Sequence, residues 1–437
     1  MTTKSEQLFN QAKQVMPGGV SRNTIFRKPY PFYAASGKGC YVTDVEGVTR
    51  IDFANNMASL IHGHAYVPIV EAVSAQLTKG SCFTMATEVE IEYATLLCER
   101  VPSFDKIRFV NSGTEAVMAM LKASRAFTGK AKIAKVEGAY HGAYDYAEVS
   151  QTANPNNWGD IDKPSSIPVA VGTPEKALED VVIIPFNDVD RAIKILDQHK
   201  DDIACILVDL LPHRVGLIPA SDEFVCALRK WADDNASLLV FDEVITFRTN
   251  YSGAQQNYSV EPDLTALGKM IGGGFPTGAL AGSDKVMKVL DPTEPKVLLP
   301  HSGTFSANPV TMTAGLIAMR NFDQKAVAKL NDLATYARKE ITKVIKDIGI
   351  AACVTGAGTM FRVHLKTQPP KNYREAYVNK DENKLVNALL EHMFANGVML
   401  INTCSATLST TMTIKEIDHL VAAFKSGFEM LLPKMSK

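Results

Sequence analysis

The stretch DLTALGKMIGGGFPTG (residues 263–278) places one lysine, Lys269, between an apolar run and three consecutive glycines. Lysine side chains normally lie in water, so a lysine that directly follows LTALG is predicted to leave the end of a buried strand. A partly desolvated lysine has a lowered pKa and can attack a carbonyl carbon to form a Schiff base. The glycines would let the backbone approach a bound group closely. The alternative is a lysine that extends into solvent.

Short apolar runs alternate with helical patterns on both sides of this stretch. Helices are predicted at 114–129 and 222–235. Strands are predicted at 106–110, 132–138, 181–186, 204–209, 237–244, 264–268 and 278–283. This alternation predicts an α/β fold with a mostly parallel central sheet and helices on both faces.

The two ends of the chain have a different pattern from the middle. Residues 39–55 read as a hairpin with its turn at Glu46 and Gly47. Helices predicted at 323–348 and near 381–396 indicate a smaller α+β region after about residue 320. We therefore expect three parts: an N-terminal segment that packs with the small domain, a large domain, and a small C-terminal domain, at 1–60, 61–320 and 321–437.

The overall composition argues against several classes of partner. The chain has 46 basic and 47 acidic residues and a net charge of −1, which offers no electrostatic case for nucleic acid or a membrane surface. Its seven cysteines are scattered and form no CxxC pair, so we expect reduced thiols, a cytoplasmic protein and no metal site. No signal peptide and no stretch long enough to span a bilayer is apparent.

A phosphate-binding motif is predicted at FVNSGTEAVMAM (109–120). Here a strand ends, and Ser112, Gly113 and Thr114 open a helix. Backbone N–H groups at a helix start, together with two hydroxyls and a glycine, form a cradle for phosphate. The alternative is a helix cap without a ligand.

Two further motifs suggest contacts to an aromatic ring. In LVFDEV (239–244), Asp242 and Glu243 follow a buried strand, where a carboxylate needs a partner; a helix cap or a magnesium ligand are the alternatives. In EGAYHGAYDY (137–146), Tyr140 is placed to stack on a planar group, unless it is simply a core tyrosine. A phosphate, a ring, a ring nitrogen and an aldehyde held by lysine together describe pyridoxal 5′-phosphate (PLP).

The sequence resembles the class III aminotransferases of PLP fold type I. Within them it is similar to the branch of glutamate-1-semialdehyde aminomutases and β-amino-acid aminotransferases. The motifs that carry the resemblance run in order from about residue 14 to 320 and are MPGGVSR (16–22), VNSGTEA (110–116), GAYHG (138–142), FDEVITFR (241–248), PDLTALGKMIGGGFPTGA (262–279) and HSGTFSANP (301–309).

The resemblance implies a role for each matching residue. Lys269 would be the Schiff-base lysine, and Asp242 would hold the pyridine nitrogen. Thr304 would reach the phosphate of the neighbouring subunit, which implies a homodimer with active sites at the interface. The remaining cofactor contacts would be Ser112, Gly113, Thr114, Tyr140, His141 and Val244.

Departures from the family pattern bear on the substrate. Where the aminomutases have an arginine in a segment like NSPVRAF, this chain reads SRNTIF with Ile25 at the aligned position. Arg22 matches a placement in β-phenylalanine aminotransferase-like proteins and is our candidate contact for a substrate carboxylate. Arg214, in VDLLPHRVG (208–216), is a second candidate. The segment 402–413 lacks an arginine that forms a carboxylate clamp in β-amino-acid relatives.

These departures favour an aminotransferase that moves an amino group from a carboxylate-bearing donor, with a β-amino acid as one option, to a keto acid. Glutamate-1-semialdehyde 2,1-aminomutase is the alternative, because it shares every cofactor residue. A racemase is a lesser variant. A non-catalytic regulator is disfavoured because Lys269 and Asp242 are intact and no DNA-binding module is attached.

Overall fold

The computed structural model describes residues 2–435. Met1, Ser436 and Lys437, which are the outermost residues of the first and last predicted segments, lie outside the described residues. The described residues form sixteen strands in four sheets, fifteen α-helices and six short 3₁₀ helices. None of these helices is long and apolar enough to cross a membrane.

The strands differ in length, and the longest is Ile203–Val208. In chain order they are β1 (Ala34–Lys38), β2 (Tyr41–Asp44), β3 (Thr49–Asp52), β4 (Lys106–Val110), β5 (Lys132–Val136), β6 (Gly159–Asp160), β7 (Lys163–Pro164), β8 (Val181–Ile184), β9 (Ile203–Val208), β10 (Leu238–Asp242), β11 (Leu264–Gly268), β12 (Gly278–Gly282), β13 (Cys353–Thr355), β14 (Met360–His364), β15 (Val398–Met399) and β16 (Ser405–Thr407).

The α-helices range from one turn to seven turns. In chain order they are α1 (Lys4–Val15), α2 (Asn55–Ala58), α3 (Val67–Leu77), α4 (Glu88–Arg100), α5 (Gly113–Thr128), α6 (Asp145–Glu148), α7 (Glu175–Glu179), α8 (Val189–Asp197), α9 (Asp222–Asp234), α10 (Asp284–Met287), α11 (Pro309–Asn321), α12 (Gln324–Ile348), α13 (Tyr373–Ala376), α14 (Lys380–Ala395) and α15 (Ile414–Met435).

The central sheet has seven strands in the order β4-β12-β11-β10-β9-β5-β8. All neighbouring pairs are parallel except those of β12, which runs antiparallel to both β11 and β4. The strands β9, β10 and β11 are buried along their whole length, because helices cover both faces. The predicted mostly parallel sheet is therefore observed, with one antiparallel strand.

Two apolar cores lie on opposite faces of this sheet. On one face α5 packs against β9, β11 and β12, and its buried residues include Val117, Met120 and Leu121. On the other face α9 packs against β9 and β10 through Phe224 and Leu228. Helices on both faces leave only the strand ends open, and in a parallel sheet the carboxyl ends form the edge where ligands bind.

The ends of the chain form smaller sheets. The predicted hairpin is present as β2 and β3, with Glu46 and Gly47 in its turn. It belongs to a sheet of order β1-β2-β3-β15, in which β15, from the last part of the chain, pairs in parallel with β3. A second sheet, β13-β14-β16, packs beside the long helix α12, which also contacts α15. The N-terminal hairpin is thus joined to the C-terminal region by backbone pairing.

Candidate active site

Four neighbouring strands of the central sheet carry chemically active side chains at their carboxyl ends. In spatial order these strands are β11, β10, β9 and β5. Lys269 follows β11, Asp242 ends β10, Asp209 follows β9, and the segment with Tyr140 and His141 follows β5. Adjacent strands lie about 5 Å apart, so this order brings all of these side chains to one edge of the sheet.

These side chains line a single cavity with the start of α5. All eight of the predicted catalytic and cofactor residues other than Thr304 line this cavity, whereas Thr304 and the two predicted substrate arginines do not. Its lining consists of Ser112, Gly113, Thr114, Val117, Tyr140, His141, Gly142, Asp209, Asp242, Val244, Ile245 and Lys269.

Lys269 lies partly accessible at this cavity, in the turn that follows β11. Its backbone has φ of 50°, a left-handed conformation that is unfavourable for residues other than glycine. Residues in such a conformation are often found at functional sites. Burial lowers the pKa of its amine, while the nearby carboxylates of Asp242 and Asp209 act in the opposite direction. The lysine is therefore held where a larger fraction of its amine is unprotonated than in water.

Asp242 is buried, and each of its oxygens has a defined partner. Oδ1 accepts a hydrogen bond from the backbone N–H of Val244 at 2.9 Å, and Oδ2 lies 2.7 Å from Nδ1 of His141. Burial lowers the pKa of the His141 imidazole, although the contact with Asp242 raises it. Nε2 of His141 is buried and has no hydrogen-bond partner among the described residues. The histidine thus fixes the orientation of the carboxylate.

The start of α5 has the predicted form of a phosphate cradle. Ser112 is the N-cap of α5, and its Oγ accepts a hydrogen bond from the N–H of Glu115 at 3.1 Å, so Ser112 also caps the helix. A Cβ on Gly113 would lie 2.7 Å from a methyl of Val244, and a Cβ on Gly142 would lie 2.6 Å from Oγ1 of Thr114. Side chains at the two glycine positions would therefore clash with the walls of the cavity.

Asp209 is the charged cavity residue that our sequence argument did not assign to the site; Val117, Gly142 and Ile245 are the other unassigned lining residues. The register pairs Phe241 with Val208, so the next positions, Asp242 and Asp209, stand side by side on parallel strands. Burial, followed by the nearby charge of Asp242, raises the pKa of Asp209 well above its ordinary value. The signal was available, because Asp209 follows the apolar run IACILV as Asp242 follows LLVF.

The donor set fits PLP on several independent counts. The cavity combines an amine of lowered pKa, a buried carboxylate with a fixed orientation, a helix start and an aromatic ring at its edge. That ring belongs to Tyr140, which is 46% exposed. These groups match the aldehyde, the ring nitrogen, the phosphate and the flat face of the cofactor respectively.

The two arginines predicted to bind substrate lie away from the lining of this cavity. Arg214 is exposed, donates from Nη1 to the carbonyl of Gln151 at 2.7 Å, and has its guanidinium carbon 5.9 Å from the centre of the Tyr140 ring. Arg22 is exposed and donates to Oδ1 of Asn56 at 2.8 Å. Arg214 is therefore near the Tyr140 ring, whereas the position of Arg22 depends on the short turn α2.

Thr304 is exposed and is not among the residues that line the cavity of its own chain. The segment around it carries exposed apolar side chains, including Leu298 and Phe305. A Cβ on the neighbouring Gly303 would lie 3.4 Å from Nδ2 of Asn111, the residue before Ser112, so this segment runs near the start of α5 of its own chain while Thr304 stays outside the cavity lining.

Two charged residues near Asp242 have structural contacts that explain their burial. Glu243 accepts hydrogen bonds from the N–H groups of Ala254 and Gln255 at 2.6 and 3.0 Å, and burial raises its pKa to about 7. Arg248 is fully buried and donates to the carbonyls of Ala58 and Leu408 and to Thr359. Arg248 therefore connects the central part of the chain to the N-terminal and C-terminal parts, a role that the sequence did not indicate.

Comparison with known proteins identifies the family of this chain. The family model for aminotransferase class-III matches residues 26–430. An omega-transaminase from Sphaerobacter thermophilus is 44% identical, with a TM-score of 0.96 over 98% of this chain and 97% of that chain. A beta-phenylalanine aminotransferase from Variovorax paradoxus is 31% identical, with a TM-score of 0.88 over 98% of this chain and 94% of the other.

Curated relatives add a second group. Glutamate-1-semialdehyde 2,1-aminomutase from Methanothermobacter thermautotrophicus is 36% identical over 429 residues, which is 98% of this chain and 99% of the relative. The family resemblance and the fold class predicted from the sequence are confirmed by these matches.

Proposed function

The chain belongs to the class III aminotransferases, which are PLP-dependent enzymes, and we propose that it moves an amino group from a carboxylate-bearing amino donor to a keto acid. The observation that carries this proposal is the placement of Lys269 and Asp242 at the ends of adjacent strands, facing one cavity. One group is an amine of lowered pKa, and the other is a buried carboxylate. PLP chemistry needs both.

PLP, when bound, supplies a reactive aldehyde and an aromatic ring that accepts electrons from the carbon bearing the amino group. In our proposal Ser112, Gly113 and Thr114 hold its phosphate at the start of α5, and Tyr140 covers its ring. Val244 supports this arrangement by packing against Gly113 and by fixing Oδ1 of Asp242.

Lys269 has two tasks in this proposal. Its unprotonated amine would serve as the nucleophile that holds the aldehyde of PLP, and the same amine, when free, would carry the proton of the substrate carbon. The carboxylate of Asp242 would hold the ring nitrogen of PLP and favour the protonated form of that nitrogen. His141 prevents Asp242 from rotating away, because Nδ1 and Oδ2 are 2.7 Å apart.

The substrate carboxylate is assigned to Arg22, with Arg214 as a second contact. Both guanidinium groups are exposed, and neither forms an ion pair in the described part of the chain, so each keeps N–H donors free for an incoming carboxylate. Arg214 also lies near the Tyr140 ring, which is where a substrate attached to the cofactor would extend.

A homodimer completes the proposed site. The exposed side chains of Phe83, Met85, Leu298 and Phe305 are large and apolar, which is typical of surfaces that bind another chain. With a partner on this surface, Thr304 would reach the partner's phosphate site.

We also propose the division into an N-terminal segment, a large domain and a small domain at 1–60, 61–320 and 321–437. A cytoplasmic location is proposed as well, and the free state of all seven cysteines supports it.

Cofactor absorbance tests the proposal directly. Protein loaded with PLP should lose its visible absorbance band when an amino donor is added and regain it when pyruvate or 2-oxoglutarate follows. A panel of α-, β- and ω-amino donors would define the substrate. Lys269→Ala should reduce turnover by at least about 10³-fold, because both the nucleophile and the proton carrier are lost. Turnover of this variant at the wild-type rate would refute the assignment.

Labelling of the lysine provides a test that does not depend on the substrate. Borohydride treatment of the protein with PLP should leave a covalent cofactor adduct on Lys269, which peptide mass spectrometry would locate. An adduct on another lysine, or none, would contradict the proposed site.

The second candidate function is glutamate-1-semialdehyde 2,1-aminomutase. The curated relatives carry this name, and they favour it over the transaminase that the sequence analysis placed first. Our preference for the transaminase rests on Ile25, which replaces the arginine expected in an aminomutase, and on the omega-transaminase at 44% identity. Conversion of glutamate-1-semialdehyde to 5-aminolevulinate without any keto acid would establish the aminomutase instead.

A further inference from the structure

Lys135 is a buried lysine with no part in the chemistry described above. It lies in β5, and its side chain is among the largest fully buried ones in the described residues. Burial lowers the pKa of its amine to about 7, and the Arg214 guanidinium adds to this effect. Burying an amine is costly, so the contacts that Lys135 makes need an explanation.

The amine of Lys135 contacts the backbone carbonyls at the two ends of one short segment. Nζ donates to the carbonyl of Ala139 at 3.0 Å and to that of Val149 at 2.7 Å. The segment 139–149 therefore begins and ends on the same amine. The N–H of Gly138 also donates to the carbonyl of Ser150 at 3.1 Å, which closes the segment at its base. Tyr140 and His141 are both in this segment.

His141 depends on the backbone of this segment for its position. Its side-chain hydrogen bond is to Asp242, and its Nε2 has no partner among the described residues. Among the described residues, Asp242 is the only hydrogen-bond partner of the His141 ring. A shift of the backbone at Ala139 would therefore move the imidazole and with it the orientation of the Asp242 carboxylate.

We propose that Lys135 is a positioning residue, whose amine fixes the segment 139–149 so that His141 orients Asp242 and Tyr140 lies over the cofactor ring. The proposal rests on the function proposed above. It assigns Lys135 no contact with the cofactor or the substrate. The amine suits this task because either of its protonation states offers enough N–H donors for two carbonyls.

Lys135→Met tests the proposal, because methionine has a similar length and no donor. We expect PLP to bind about tenfold more weakly, the effect of leaving a buried carbonyl unsatisfied, as measured by titration. We also expect the circular dichroism of bound PLP, divided by the amount bound, to fall, since this signal reports the orientation of the ring. Thermal unfolding of the cofactor-free protein would show separately how much stability is lost.

Lys132→Met is the matched control. Lys132 lies on the same strand and also donates to a carbonyl, that of Glu179, but it is on the outer side of the protein, far from the segment. We expect it to keep wild-type PLP affinity and dichroism. A Lys135→Met variant that loses stability but keeps both wild-type signals would overturn the proposal, because Lys135 would then be only structural.

A second variant keeps the test decisive if Lys135→Met does not fold. Lys135→Gln retains two N–H donors on a side chain one bond shorter, which is too short to hold both carbonyls at their present positions. A reduced dichroism for each bound PLP would support the proposal, and a wild-type value would refute it. Failure of the wild-type protein to bind PLP would instead refute the proposed function, so the two failures are distinguishable.

Discussion

The cofactor side and the substrate side of the candidate site are built differently. Asp242, His141 and Lys269 lie at the ends of buried strands or directly after them, and each is held by burial or by hydrogen bonds. Arg22 and Arg214 lie on exposed segments, where each has a single hydrogen bond. Groups that must be oriented within a fraction of an ångström are placed on the rigid sheet, whereas groups that select a substrate are placed on loops.

The largest effect in this comparison is expected for Asp242→Asn. Asparagine has the same shape but no charge, so the ring nitrogen loses its anionic partner, and we expect the first half-reaction to slow by about 10²-fold or more. Stopped-flow absorbance with an amino donor measures this rate. Glu243→Gln is the control, because Glu243 holds the turn at Ala254 rather than the cavity. It should lower the melting temperature more than the rate, and equal rate losses would contradict the division of roles.

An intermediate effect is expected for Asp209→Asn, and it concerns stability. The pKa of Asp209 is raised in the folded protein, so the fold binds this proton more tightly than the unfolded chain does. Stability is therefore lost as the pH rises from the ordinary carboxyl pKa towards the raised one. The variant has no such proton and keeps an oxygen to accept from the N–H of Leu211.

Melting temperatures of the cofactor-free proteins test this expectation. The melting temperature of Asp209→Asn should rise relative to that of the wild-type protein as the pH rises from about 5 to about 8. The two melting temperatures should converge towards about pH 4. A difference that does not change with pH would contradict the raised pKa of Asp209.

The smallest effect is expected for Arg22→Ala on the substrate side. Carboxylated donors should show a KM about tenfold higher, which is typical for the loss of one charged hydrogen-bonding contact, while simple amines should be unaffected. Stability should hardly change, because the exposed bond to Asn56 contributes little. Kinetics with a matched pair of donors, one with and one without the carboxylate, gives the comparison. Equal losses for both donors would remove the assigned role.

The elements that the sequence predicted best are those whose hydrophobic pattern agrees with their packing. The strand at 264–268 has its predicted bounds, and the helix predicted at 323–348 is α12 (Gln324–Ile348). A strand buried on both faces must be apolar throughout, and a long surface helix must be amphipathic, so both leave a clear pattern. The antiparallel direction of β12 leaves none, because an apolar run reads the same in both directions.

The contacts of several polar residues could not be predicted. Glu243 and Arg248 follow Asp242 closely in the sequence, yet both side chains form hydrogen bonds with backbone groups of other segments. Glu243 accepts from the N–H of Ala254, and Arg248 donates to the carbonyl of Ala58. The turn α2 has four consecutive residues with positive φ, from 44° at Asn55 to 69° at Ala58, although none is a glycine. Only packing from elsewhere, including the donation of Arg248 to the carbonyl of Ala58, stabilises such a backbone.

The amino-acid sequence by itself determined which residue types end the buried strands, and therefore that an amine, a carboxylate and a helix start meet at one edge of a sheet. Only the tertiary structure decided that Nδ1 of His141 contacts Oδ2 of Asp242 and that Nζ of Lys135 contacts the carbonyls of Ala139 and Val149. The physical reason is that burial along a strand leaves a periodic signal in the chain. Contacts between a side chain and a remote backbone group leave no such signal, because any donor within reach can make them.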